Sequence, residues 1–344
     1  MSTQILESRL QSRLRVEDVS HVGECRRTAQ NVAATHAFSE TLIGRVGIVA
    51  TELANNLLRH AGRGEMLIQA ITEGSGVTVE LVAIDHGPGM DVLKCMRDGY
   101  STGGTAGTGL GALSRLSSLF DVYSLPGRGT VAVARIAKPL PAESPHSNGL
   151  STPDIGAICI AVAGEIECGD TWRIAAHGDT IAIMLADGLG HGPLAANASR
   201  AAGAAFVERP FESPAELMER LHHALAGGRG AAAACAVLSS VAGNIDYAGV
   251  GNIAGRVVST ERSRGMVSHN GILGVQLLRR QKFQYPYESG SRVVMHSDGM
   301  SARWSIDAYP GLLARHPAVI AGVLYRDHVR ARDDVTVVVS GSRQ

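Results

Sequence analysis

Residues 185–192 read LADGLGHG and close the apolar run TIAIM at 180–184. An aspartate at the end of a strand with glycine behind it is an ordinary turn signal. Three further acids sit at strand ends or beside glycine: Asp170 in ECGDTW, Asp298 in MHSDGM and Asp333 in RDDVTVVV. A sandwich gathers strand ends at one rim, so these acids are expected to meet. Unpaired carboxylates about 4 Å apart repel by about 4 kcal/mol per pair at an intermediate dielectric. Cations make such a cluster tenable. An oxygen-only donor set, with no Cys/His group to hold zinc, points to Mg²⁺ or Mn²⁺.

Strands are expected in this half at GAICIAVAG (156–164), TWRIAAHG (171–178), TIAIMLAD (180–187), AACAVLSS (233–240), RVVMHSD (292–298) and DDVTVVVS (333–340), with a helix over 193–207. Together they predict a strand-rich sandwich with helices outside. Upstream, residues 137–153, AKPLPAESPHSNGLSTP, hold four prolines and no apolar periodicity. Such a stretch reads as a semi-stiff linker. It divides the 344 residues into 1–136 and 154–344, each of domain size.

Lys plus Arg equals Asp plus Glu at 32 each, which argues against nucleic acid or an anionic membrane as partner. No apolar run approaches the roughly 20 residues of a membrane span. The N-terminus carries charges where a signal peptide needs an apolar stretch. The five cysteines, Cys25, Cys95, Cys159, Cys168 and Cys235, form no CxxC pair and read as reduced packing residues. A cytoplasmic protein is expected.

In 1–136, RVGIVATELANNLLRH (45–60) places Val46, Val49, Leu53 and Leu57 on one helical stripe, ended by Gly62 and Gly64. Glu52 and Asn56 leave the same face of that helix, four residues apart. Strands follow at EMLIQAI (65–71), VTVELVAID (77–85) and TVAVARI (130–136). Asp85 ends one of them, with Gly87 and Gly89 behind it, where a carboxylate can accept from an exocyclic amine and bare backbone admits a flat ring. The glycine loop GTAGTGLG (104–111) then runs into a helix, ALSRLSSLF, and suits a polyphosphate. It is neither a Walker loop, which needs a lysine, nor a dinucleotide fingerprint, whose third glycine is replaced by Ala112.

The order Glu-x-x-x-Asn, Asp-x-Gly-x-Gly, Gly-x-Gly-x-Gly and late Gly-Thr resembles the ATP-binding domain of gyrase, histidine kinases and MutL. Within that superfamily, ELANNLLRHAGRGE is similar to the small bacterial anti-sigma serine kinases, the switch kinases of stress modules. The resemblance covers roughly 15–136 and implies a Bergerat-type (GHKL) α/β sandwich that takes ATP with Mg²⁺. It makes Asn56 the Mg²⁺ ligand, Glu52 the catalytic base and Asp85 the adenine contact, with Thr130 backing the pocket. Gly87 and Gly89 flank the ring, and Gly107, Thr108, Gly109, Leu110 and Gly111 close over the phosphates. Magnesium and loop N–H groups then neutralise charge as a Walker lysine does elsewhere.

The second half carries Gly-Asp, Asp-Gly-x-Gly-His-Gly, Gly-x-Gly-Asn, Ser-Asp-Gly and Asp-Asp-x-Thr in order. This resembles the metal-dependent protein phosphatases of the 2C type, in the branch of the sporulation stage II protein E and stressosome feedback phosphatases. The resemblance implies an α+β chain of two domains, the second a sandwich flanked by helices that holds two Mn²⁺ or Mg²⁺ ions. Asp187 would bridge the two ions, the carbonyl of Gly188 would serve one, and Asp170, Asp298 and Asp333 would complete the shells. Asp187 and Asp298 are then the catalytic acids, with water attacking phosphoserine or phosphothreonine directly. Asp334 stands where relatives often have Asn. His191 is a candidate acid or a turn residue, and Asn252 a candidate cap.

Together the resemblances imply a kinase and a phosphatase opposed in one chain, acting on a STAS-type anti-sigma antagonist. A sigma factor or downstream phosphatase is a further candidate partner, and a homodimer a candidate assembly. The competing reading is an ATP-gated binding module that controls a phosphatase without kinase turnover.

Overall fold

The computed structural model describes residues 3–7, 11–92, 109–139, 154–276 and 281–341. The chain folds into two compact units, Ser8–Ser147 and Met1–Glu7 together with Asn148–Gln344. Gly107 and Thr108 of the expected phosphate loop lie outside the described residues.

Strand β1 (Gln4–Glu7) is the first element of the chain, yet it pairs antiparallel with a strand of the second unit, Gln4 opposite Ala176 and Leu6 opposite Ile174. The expected division at the linker leaves these residues with the first domain. Their ladder and the 2.8 Å ion pair between Glu7 and Arg173 group them with the second.

The first unit is a five-stranded antiparallel sheet in the order β2 (Gln11–Val16), β3 (Gly64–Glu73), β4 (Gly76–Ile84), β6 (Thr130–Ala137), β5 (Leu119–Ser124). Helices α1 (Val19–Thr35), α2 (Glu40–Asn56) and α3 (Leu110–Leu116) share one apolar core with it, centred on Val46, Val49, Leu53, Met66, Ile68 and Leu81. A capping box starts α1, in which Asp18 accepts from Ser20 N and His21 answers the cap backbone. Ser39 caps α2, so the helix begins five residues before the expected Arg45. Its far end also departs from expectation: at Leu57 the α-helix passes into a π-turn, Leu57–Ala61, which Gly62 closes in the left-handed region. Single turns of this kind are rare and occur frequently at functional sites.

The second unit is a sandwich. One sheet runs β14 (Phe283–Pro286), β11 (Asn244–Val250), β10 (Ala231–Ser239), β9 (Thr180–Gly188), β8 (Asp170–His177), β1. The other runs β13 (Ser263–Met266), β12 (Ala254–Val258), β15 (Arg292–His296), β16 (Val335–Gly341), β7 (Ile155–Ile160). Every named pairing is antiparallel. Helices α4 (Pro193–Glu208) and α5 (Pro214–Ala224) cover the first sheet through Phe206, Leu217 and Leu221, and α6 (Pro317–His328) packs on β7 and β16. Among the described residues no helix is long and apolar enough to cross a membrane.

In the first unit the central strands carry a polar trio, one ion pair and one amide. Glu80 is fully buried and accepts from Gln69 Nε2 at 2.7 Å and from Arg135 Nε at 2.7 Å. Removing one partner of a buried ion pair leaves the other charge uncompensated, which costs about 3–5 kcal/mol. Arg135→Ala should therefore lower stability by about 3 kcal/mol, read by far-UV circular dichroism in urea, whereas Arg128→Ala on the exposed turn should change little.

Candidate functional site

In the second unit the carboxylates gather because antiparallel strands bring opposite ends to one rim. Asp170 opens β8 and Asp187 lies near the end of β9, and the two are direct register partners. Asp298 follows β15, and Asp333 precedes β16, in a ladder that sets His296 opposite Val337. Asp187 accordingly feels the charges of Asp170, Asp298, Asp333 and Asp334.

Glycine lets the motifs close. A Cβ on Gly188 would stand 2.1 Å from the carbonyl oxygen of Ala195 in α4, and one on Gly169 would stand 2.6 Å from Asp334 Oδ2. Both approaches need bare backbone.

Each acid then has a distinct setting. Asp170 is 4% exposed; its Oδ2 accepts from Ser297 Oγ at 2.6 Å, and Ser297 Oγ in turn accepts from Thr336 N at 2.9 Å. The Thr336 hydroxyl lies beside this carboxyl, but among the described residues no donor meets Asp170 Oδ1 in hydrogen-bond geometry. Asp298 Oδ2 accepts from Asn252 Nδ2 at 2.7 Å. Asp333 is exposed, and its Oδ1 accepts from Asp334 N at 2.9 Å. Asp334 is 2% exposed, with both oxygens taken by backbone: Val162 N donates to Oδ1 and Gly169 N to Oδ2, each at 2.7 Å. It fastens the loop that leads into Asp170. His191 is largely exposed and joined to Glu165 at 2.8 Å. Ser297 and Glu165 are site residues that the sequence alone does not single out. Serine beside Asp298 is visible in the Ser-Asp-Gly motif, but its bond to Asp170 spans 127 residues.

Burial first, and then neighbouring negative charge, raises the Asp187 carboxyl well above its ordinary value. Asp170 is also raised, again chiefly by burial, against the bond from Ser297. Among the described residues no three acidic, His or Cys side chains converge on one point. The donor set nevertheless fits hard divalent cations: it is all oxygen, and the buried Asp170 Oδ1 meets no donor among the described residues.

In the first unit Glu52 and Asn56 are both half-buried and one turn apart at the end of α2, where the π-turn begins. Asp85 follows β4, and its Oδ1 accepts from Gly87 N at 2.7 Å and from Thr130 N at 3.1 Å. Thr130 Oγ1 reaches Ser124 Oγ at 2.9 Å. Gly129 has φ +78°, and a Cβ there would stand 2.1 Å from the Asp85 carbonyl oxygen. Asp85, Gly87 and Thr130 thus form one knot at the strand ends, bordered by Gly89. Gly109 precedes α3, whose first residue, Leu110, is buried; Gly111 is half-buried in its first turn.

Comparison with known proteins matches two separate stretches of the chain. The model of the histidine kinase-like ATPase domain matches residues 16–136, and that of stage II sporulation protein E matches 177–341. The serine/threonine-protein kinase RsbT of Bacillus subtilis (strain 168) is 33% identical over 121 residues, covering 35% of this chain and 91% of RsbT. The phosphoserine phosphatase RsbX of the same organism is 31% identical over 142 residues, covering 40% of this chain and 70% of RsbX. A solved structure from the bacterial stressosome, described as a modular system adapted to control secondary messenger signaling, superimposes with a TM-score of 0.52. It is 28% identical and covers 55% of this chain and all of its own. The chain belongs to two families at once, the histidine kinase-like ATPases that include RsbT and, in its second part, the 2C-type serine/threonine phosphatases of the stage II sporulation protein E group.

Proposed function

We propose that the chain is a two-way regulator in a partner-switching pathway: the first unit phosphorylates a serine or threonine of a STAS-type protein, and the second removes the phosphate. The observation that supports the hydrolytic half is the rim on which Asp170 faces Asp187, within reach of the charges of Asp298 and Asp333. Asp170, Asp187, Asp298, Asp333 and the Gly188 carbonyl would hold two Mg²⁺ or Mn²⁺ ions. When bound, these ions supply a water acidic enough to attack phosphorus and neutralise the phosphate. Asn252 orients Asp298, Ser297 orients Asp170, and Asp334 holds the approach loop in place.

For the first half, Asn56 would take Mg²⁺, Asp85 would receive the adenine amine in the orientation fixed by Gly87 and Thr130, and Glu52 would orient the attacking hydroxyl. A phosphoryl group placed on a docking surface changes its charge by about −2 and so releases or recruits partners. The likeness to both RsbT and RsbX favours turnover in both halves over an ATP-gated binding module.

With Mg²⁺, ATP and a STAS protein encoded beside the gene, Asp298→Ala should accumulate labelled phosphoprotein, and Glu52→Ala in that background should abolish the label. A mutant that binds the STAS protein stoichiometrically without labelling it would establish the gating alternative instead.

The raised carboxyls also fix a sign. Folded Asp187 and Asp170 hold protons that the unfolded chain releases above the ordinary value of 3.8, so their contribution to metal-free stability falls as pH rises. His296, pushed down to about 4 by burial, acts oppositely: its contribution is present above 6.5 and lost as pH falls toward 4. Both tryptophans, Trp172 and Trp304, lie buried in the second unit, so their fluorescence reports its melting alone. Without metal, Asp187→Asn should raise the thermal midpoint more at pH 8 than at pH 5, and Mg²⁺ should stabilise wild type but not the variant.

A further inference from the structure

The two cysteines flanking the approach loop of the carboxylate rim are in contact. Cys159 Sγ lies 3.5 Å from Cys168 Sγ and 3.7 Å from the carbonyl oxygen of Asp170. Both are partly exposed, whereas Cys25 and Cys235 are buried. We propose that Cys159 and Cys168 form an oxidant-sensitive pair, closed to a disulfide by peroxides, and that closure lowers phosphatase turnover.

The two thiols are not equally free to move. Cys159 is held in β7, in register with Thr336 of β16 and next to the fully buried Ile158 and Ile160. Cys168 belongs to the loop between β7 and β8. A disulfide needs a sulfur separation of about 2.05 Å, so closure draws the sulfurs together by about 1.5 Å. The strand is anchored by its ladder, and the displacement falls on the loop.

That loop carries the site. Gly169 N donates to Asp334 Oδ2 at 2.7 Å, and Gly169 O accepts from Gly188 N at 3.0 Å. Asp170 comes next in the chain. Pulling Cys168 toward β7 therefore strains the bond to Asp334 and moves Asp170 relative to Asp187 and Gly188. Disturbing groups that orient metal ligands commonly costs about tenfold or more in activity or affinity.

The chemistry balances with one hydrogen peroxide per pair. One thiol sulfur attacks a peroxide oxygen; the O–O bond breaks, water leaves and a sulfenic acid remains. The second sulfur attacks the first, the S–O bond breaks, and another water carries off the remaining thiol proton. The two sulfurs lose two electrons, which the peroxide oxygens gain.

The test treats the reduced full-length chain with hydrogen peroxide and follows both peptide mass and phosphatase turnover on a phosphoserine peptide with Mn²⁺. The expected result is a peptide containing Cys159 and Cys168 lighter by two hydrogens, with turnover down about tenfold and restored by dithiothreitol. Cys159→Ser and Cys168→Ala should each resist the oxidant, while Cys95→Ser should respond like wild type. Absence of the internal cross-link, a cross-link that leaves turnover unchanged, or equal inactivation of Cys168→Ala would overturn the proposal. The effect on turnover rests on the phosphatase reading. A reduced chain without turnover would sink that reading and the control of turnover with it, while peptide mass would still decide whether the thiols join.

Discussion

Negative charge brought together at the end of a folded sheet is the constraint around which the second unit is organised. Asp170 and Asp187 are register partners, and burial, with the neighbouring carboxylates, pushes both carboxyls above their ordinary value. The chain supplies no Lys or Arg bond to Asp170 or Asp187 among the described hydrogen bonds and ion pairs. It supplies hydroxyl, amide and backbone donors instead, through Ser297, Asn252 and the loop amides that grip Asp334. Such donors orient a carboxylate without cancelling its charge, so the capacity to attract a divalent ion is kept.

Much of this is legible in the sequence because it is written locally. Apolar runs mark β7, β8, β9, β10, β15 and β16, and Asp170, Asp187 and Asp298 each stand beside a glycine whose close contact leaves no room for a side chain, as at Gly188. Strands β1 and β2 carry no such mark. QILE and QSRLRV are short and mostly polar or charged, and they join their sheets through pairing with distant strands and ion pairs such as Arg13 with Glu65 at 2.6 Å. The π-turn after Asn56 is equally silent, since LLRHA continues the helical stripe. The thiol pair reads as packing in the sequence: the two residues sit nine apart, and only the register of β7 against the returning loop brings them together.

The first unit solves a comparable problem with less charge. The carboxyl of Asp85 is aimed by two backbone N–H groups, from Gly87 and Thr130, the second of which lies 45 residues away on the neighbouring strand. Gly129 admits that approach by leaving room for the Asp85 carbonyl. The result is a fixed acceptor at a strand end, which suits recognition of a neutral ring edge better than collection of metal ions. Both units thus place aspartate at strand ends, and they differ in its surroundings: Asp187 feels the charge of four other aspartates, whereas Asp85 is held by backbone N–H groups.

A kinase and a phosphatase joined in one chain and acting on one target would consume ATP with no net change unless one of them is restrained. Restraint is simplest where a small displacement suffices, and the carboxylate rim is such a place, because ligand oxygens must meet an ion within a few tenths of an ångström. The loop from β7 to β8 is tied to that rim at both ends through Asp334 and carries one member of the thiol pair. In the proposed cycle an oxidant would therefore slow dephosphorylation through this loop. Asp85, Gly87 and Thr130 carry no sulfur themselves, so in that cycle closure of the Cys159–Cys168 pair would shift the balance toward the phosphorylated target.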